Sequence, residues 1–216
     1  MTDTFDTRGE FEDSWLFEMP EGTPPSDYSR TVENNIRDVI SFTKRLGHKI
    51  EDLGNNLRKI ELTNSVYYWY EVDKQILLGI ELSKKGQTVI VNLIGKYNKG
   101  KAPFASDLYD AVLKDRKKIN PGNDNICIMS DKFLSEEGLR IWVRLLQQGH
   151  KIMVYNSDAP GQSQIRITSV EELQQFFKMN DPAGQKFRYV ISESTSYADL
   201  IAVFNIRRIR ELHKIL

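Results

Sequence analysis

A single cysteine, Cys127, stands in this chain of 216 residues. One thiol excludes an internal disulfide framework and a cysteine-rich zinc site. Its apolar surroundings, Ile126 to Met129, predict a buried structural thiol. The three histidines, His48, His150 and His213, have no neighbour at metal-ligand spacing, so no metal is expected. Long apolar runs are missing as well. Nothing approaches the ~18 apolar residues of a membrane span, and the acidic N-terminus lacks the basic and apolar regions of a signal peptide. A cytoplasmic protein without a membrane span is the expectation. A Walker-type phosphate loop, a Gly-x-Ser-x-Gly elbow, a zinc-protease motif and internal repeats are likewise missing.

Net charge is the last absence, and it conceals a pattern. Lys and Arg total 30, as do Asp and Glu. Residues 1–28 hold eight acidic residues against Arg8 alone, a net −7, which leaves 29 basic and 22 acidic residues, a net +7, for the rest. Phe5, Phe11, Trp15, Leu16, Phe17 and Met19 interleave with the acids, and Pro20 to Pro25 resist helix and sheet alike. Residues 1–29 therefore read either as an acidic, aromatic arm that docks on its own basic body or on a protein partner, or as a mobile tail. A body of +7 is too weakly basic to make nucleic acid the expected partner.

From Ser29 the apolar spacing turns helical through Val32, Ile36, Val39, Ile40 and Leu46, with Gly47 as the stop. Ile50, Leu53, Leu57 and Ile60, spaced by three and four, predict a second helix. The period then changes to two. Strands at 66–72, 75–82 and 88–94, joined by short turns, predict an antiparallel meander. A loop from Gly95 to Ala102 leads into a helix from Phe104 to about Lys117, with Pro103 in its first turn. Ile126–Met129 predicts a short buried strand, and Ser135 caps a helix ending near Gln148. Lys151–Tyr155 is a strand. Residues 157–185 form an insertion whose short helix opens on the capping box Ser169–Glu172. Phe187–Ile191 is the last strand, and residues 193–216 predict a basic closing helix carrying Arg207, Arg208, Arg210 and Lys214. The fold class is a mixed α+β domain over residues 30–192, with a central, mostly antiparallel sheet and flanking helices.

This order of elements resembles the GNAT family of acyl-CoA-dependent N-acyltransferases, whose two helices precede a three-strand meander that runs into a phosphate-cradling loop and helix. The resemblance implies acetyl-CoA or another acyl-CoA as cofactor, held by Leu93, Gly95, Tyr97, Lys99, Gly100, Lys101 and Ala102. Gly100 and Ala102 match the family's Gln/Arg-x-x-Gly-x-Gly/Ala loop, while Tyr97 stands where Gln or Arg is expected. The family's acidic Tyr and its upstream Asn would fall, counting back from Gly149, on Leu145 and Gly138, which can do neither job. Asn92, inside the third meander strand, and Ser130 and Asp131, just past the Cys127 strand, are the candidate catalytic residues. Glu71 and Glu81 are placed at strand ends. Two functions follow: an acyltransferase acting on an amine of a protein or small molecule, or a non-catalytic module of the same fold that binds a partner through residues 1–28. The compact Lys/Asn/Asp-rich style also resembles proteins of large tailed bacteriophages, which would place the chain in a host cytoplasm or a virion, as a structural or anti-defence protein.

Overall fold

The computed structural model describes residues 25–47, 49–86, 88–96, 101–119, 126–131, 134–156, 164–179 and 186–192. The arm before Pro25, the loop residues Tyr97, Lys99 and Gly100, and the closing helix expected over 193–216 lie outside them.

Helix α1 runs from Pro25 to Leu46, so it begins four residues before Ser29. Pro25 suits a first helical position, where its missing N–H is not needed. Val32, Ile36 and Val39 form the buried stripe and pack on Ile60, Tyr67, Trp69 and Ile76. Gly79 lets the helix settle there. A Cβ at that position would stand 2.4 Å from Ile36 Cδ1 and 3.0 Å from Val32 Cγ1.

The second expected helix is instead a β-hairpin, with β1 at Glu51–Gly54 and β2 at Leu57–Glu61. Asn55 and Asn56 take φ of 52° and 62°, the left-handed pair that a two-residue hairpin turn requires. Both faces of β2 are covered. Leu57 joins the cluster beneath helix α2, described below, and Ile60 joins the cluster beneath α1. A strand covered on both faces loses strict alternation, and here its apolar spacing imitates a helix.

The meander forms as expected: β3 at Ser65–Val72, β4 at Gln75–Lys85 and β5 at Thr88–Lys96. Asp73 and Lys74, with φ of 50° and 65°, make its first turn. Helix α2 follows at Ala105–Ile119, two residues after Pro103, and the Asp107 carboxylate accepts from Phe104 N–H at 2.8 Å across its first turn. Strand β6 (Cys127–Met129), α3 (Glu136–Gln147), β7 (Ile152–Asn156), β8 (Ile165–Ile167), α4 (Val170–Lys178) and β9 (Phe187–Ser192) complete the described chain. Ser135 Oγ accepts from Gly138 N–H to cap α3, and Ser169 Oγ from Glu172 N–H to cap α4. Strand β8 falls inside the expected insertion and was not anticipated.

Among the described residues, nine strands form one sheet in the order β1-β2-β3-β4-β5-β6-β9-β7-β8. Every pairing is antiparallel except β5 with β6. Helices α2, α3 and α4 contribute Leu108, Tyr109, Val112, Leu113, Trp142, Leu145 and Leu173 to one core cluster. Trp142 meets Tyr109 edge-on at 5.7 Å and lies tilted against Tyr189 at the same distance. Such aromatic pairs contribute roughly 0.5–1.5 kcal/mol beyond their burial. Cys127 is buried as expected, its Sγ 3.2 Å from Thr88 Oγ1.

Candidate functional site

The parallel contact between β5 and β6 is short. Thr88, Val89 and Ile90 pair with Cys127, Ile128 and Met129, and no further β5 residue pairs with β6. Beyond that point the chain after β6 stays with β9. Ser130 N–H donates to Tyr189 O at 2.8 Å, Ser130 Oγ accepts from Tyr189 N–H at 3.0 Å, and Arg188 Nη1 donates to Ser130 O at 3.2 Å. Strand β5 meanwhile runs on to Lys96 alongside β4. The pairing of β5 with β6 ends at Ile90, and the backbone of Val91–Lys96 that is directed away from β4 has no strand partner among the described residues. Main-chain N–H and C=O groups demand hydrogen bonds. An open run of them is an edge where an extended ligand can pair.

A β-bulge lies just past the last β5–β6 pair. Glu81 pairs with Leu93 but Leu82 with Val91, so Asn92 is the extra residue on β5. The bulge turns Asn92 and Leu93 to the α1 side together, opposite Glu81. There Glu81 Oε2 accepts from Asn35 Nδ2 at 3.2 Å and Oε1 from Asn92 Nδ2 at 3.4 Å, with Tyr67 as a further hydrogen-bond partner. Ser83 Oγ stands 2.9 Å from Asn92 Oδ1 and 2.7 Å from its Nδ2. Glu81 is 7% exposed. Burial pushes its carboxyl above the usual value, against the hydrogen bonds of Asn35, Asn92 and Tyr67, which favour the anion. Its expected place at a strand end is corrected here, because β4 continues to Lys85 and Glu81 stands inside the strand.

Where β5 gives way to the loop, cations gather around Phe104. Lys96 Nζ lies 4.6 Å and Arg144 Cζ 3.7 Å from the ring centroid, and Lys96 also donates to Lys101 O. Desolvation pushes the Lys96 pKa down; Asp107 lifts it and Arg144 pushes it down further. Ser106, in the first turn of α2, is buried, and its Oγ has no hydrogen-bond partner among the described residues.

The expected cofactor residues are thus divided. Leu93 and Gly95 lie on the free run of β5, and Lys101 and Ala102 lie between it and α2, whereas Tyr97, Lys99 and Gly100 fall outside the described residues. Of the expected catalytic residues, Asn92 sits at the bulge in contact with Glu81. Ser130 is buried and clamps the chain after β6 to β9, and Asp131 follows it, half-buried. Leu145 is fully buried in the core, and a Cβ on Gly138 would stand 2.6 Å from Leu134 Cδ1. A second buried polar cluster lies on the α2 side of the meander. Lys59 Nζ contacts Asp115 Oδ2 at 3.2 Å and Glu51 Oε2 at 3.1 Å, and Tyr68 Oη donates to Asp115 Oδ2 at 2.8 Å. Arg116 Nη1 bonds Glu61 Oε1 at 2.8 Å and Lys84 reaches the same oxygen at 3.2 Å. Among the described residues no group of three or more His, Cys, Asp and Glu is placed to hold a metal ion, and no helix is long and apolar enough to cross a membrane.

No family model and no curated protein matches this chain. A solved structure that it is similar to is a Bacillus subtilis acetyltransferase in complex with CoA, at 15% identity and a TM-score of 0.36, covering 62% of this chain and 78% of that one. A score of that size is too low to carry residue roles across.

Proposed function

We propose that the chain is an acyl-CoA-dependent N-acyltransferase of the GNAT-like kind, with its cofactor cleft between β5 and the chain after β6. The observation that carries this reading is the three-pair contact of β5 with β6, followed by an unpaired β5 run with a bulge at its start. A pantetheine arm is an extended chain of two amides. It can pair with the free backbone of Val91–Lys96 as a strand would, leading the thioester towards the bulge and the phosphates towards Lys96, Lys101 and α2. Acetyl-CoA or a longer acyl-CoA is the donor, and the acceptor is an amine of a protein or small molecule.

In the reaction the amine nitrogen attacks the thioester carbonyl carbon, and the carbonyl π pair moves onto oxygen. Backbone N–H groups of β5 beside the bulge donate to that oxyanion. Glu81 takes the proton that the nitrogen sheds, and burial, which raises its pKa, makes it a stronger base than an exposed carboxylate. Asn35 and Asn92 hold the carboxylate in place. Collapse of the intermediate breaks the C–S bond, and the thiolate leaves and is protonated to the free thiol. Leu145 offers no acid there, so the leaving thiolate draws its proton from water.

Thermal shift and calorimetric titration with CoA and acetyl-CoA test the cleft. Ligand at 100 times its dissociation constant adds about 2.7 kcal/mol of stability, and acetyl-CoA with an amine panel releases free thiol. The absence of any shift at millimolar CoA overturns the reading. A shift without thiol release supports the second reading, a non-catalytic module, which the buried Leu145 at the family's acid position favours.

A further inference from the structure

A cavity of about 270 Å³ lies between the β1–β2 hairpin and helix α2, on the α2 side of the meander and so opposite Glu81. Small-molecule sites start near this size, at roughly 300 Å³. Its described lining holds no residue of β5, which sets it apart from the edge proposed for the cofactor. Leu53, Leu57, Ala111 and the Tyr70 ring give it an apolar wall. Helix α2 adds charge of both signs through its period. Asp107, Ala111 and Asp115 follow one ridge at intervals of four, and Lys114 and Lys118 follow the next. Asp115 is 9% exposed, and its bonds from Lys59 and Tyr68 both end on Oδ2. Oδ1 is left as a free acceptor on a buried residue that lines the cavity. Tyr70 Oη makes no hydrogen bond with any described residue, and it stands in the field of Asp107 and Asp110. Lys114 and Lys118 are exposed and have no hydrogen bond or ion pair among the described residues. A pure cation meets two lysines here and a pure anion meets two aspartates. A molecule carrying both charges meets an opposite charge at each end.

We infer that this cavity binds a small zwitterion, an apolar α-amino acid, with its ammonium on Asp115 Oδ1 and Tyr70 Oη, its carboxylate on Lys114 and Lys118, and its side chain against Leu53 and Leu57. The ammonium is a compact group with three donors, and a carboxylate oxygen and a phenol oxygen both accept from it. Lysine ammoniums ride on flexible four-carbon stems, so they close over a carboxylate at the rim without a fixed fork geometry. Lys59 and Tyr68 hold Asp115 from behind, which fixes the one charged group that is buried. Such a site needs no cofactor and stands apart from the acyl-transfer reading.

Calorimetric titration of the full chain with L-leucine, with isoamylamine, which lacks the carboxylate, and with isocaproate, which lacks the ammonium, tests the site. The wild type binds leucine, and each analogue at least about tenfold more weakly, the size of one charge-assisted contact. Replacing both rim lysines, Lys114→Gln with Lys118→Gln, brings the affinity for leucine down to that for isoamylamine. Ala111→Leu, which fills the cavity from the helix, abolishes leucine binding. The lysine variant carries the test if circular dichroism shows the Ala111 variant unfolded. No binding at millimolar leucine, equal affinity for leucine and either analogue, or leucine binding that survives the substitutions overturns the site.

Discussion

Two buried carboxylates sit on opposite sides of the same meander and are treated in opposite ways. Asp115 and its companion Glu61 face Lys59, Arg116 and Lys84, so that each of these five charges has a counter-charge within 3.2 Å. Glu81, on the α1 side, is bonded by two amides and a phenol and by no cation. A carboxylate paired with cations is held ionised. Burial still raises Glu61, but the hydrogen bond and charge of Arg116, and then of Lys84, outweigh it and bring its pKa below the usual value. A carboxylate given only neutral donors is left able to change its charge. The first arrangement ties the β1–β2 hairpin to α2; the second is suited to moving a proton.

The contrast breaks most visibly at Asp115. Asp115→Ala leaves Lys59, which is 2% exposed, with the more exposed Glu51 in place of its buried counter-charge and takes the acceptor from Tyr68. Loss of one partner of a buried pair costs about 3–5 kcal/mol, and denaturant unfolding measures it. Catalytic rate per folded molecule should hardly change.

Glu81→Gln behaves in reverse. The amide keeps an acceptor for Asn35, so stability at neutral pH is retained or rises, while kcat falls about a hundredfold or more, equivalent to about 2.7 kcal/mol of barrier. Steady-state thiol release reads the rate, and retention of full activity removes Glu81 from the mechanism.

The smallest effects lie in the pH dependence of stability, and their signs differ. With its pKa raised in the fold, Glu81 binds a proton in the native state that it has lost in the unfolded chain, between the usual value of 4.5 and the raised one. Its contribution to stability therefore falls as pH rises through that window, and the Glu81→Gln variant gains on the wild type over the same range. Glu61, with its pKa lowered, contributes stability that is present above 4.5 and is lost as pH falls through the lowered value. Glu61→Gln should thus converge on the wild type in acid. Denaturant midpoints measured against pH separate the two slopes.

Much of this framework was legible in the amino-acid order. The meander announced itself by period-two runs, and Ser135 and Ser169 marked their helices by capping chemistry that acts within four residues. The hairpin was misread because Leu53, Leu57 and Ile60 sit at helical intervals. The informative signal was Gly54-Asn55-Asn56, three residues at ease with positive φ. Asn92 stands out in the sequence as a lone amide in an apolar strand, but its partner does not. Glu81 lies 11 residues away, and only the register of β4 against β5, with its bulge, sets the two side by side. Phe104 and Arg144 meet across 40 residues, through the packing of α2 on α3. Contacts of that kind carry no local pattern.

The three residue pairs that join β5 to β6 are also the one parallel contact of the sheet among the described residues. They are a short seam between a five-stranded leaf, β1 to β5, and a four-stranded leaf of β6, β9, β7 and β8. A seam so narrow transmits little cooperativity by itself, and the helices packed across it supply the rest. A ligand that bonds along the free run of β5 lengthens the seam from within. Cofactor would then act as mortar as well as reagent, and the loaded protein would melt as a single block where the empty one can yield leaf by leaf.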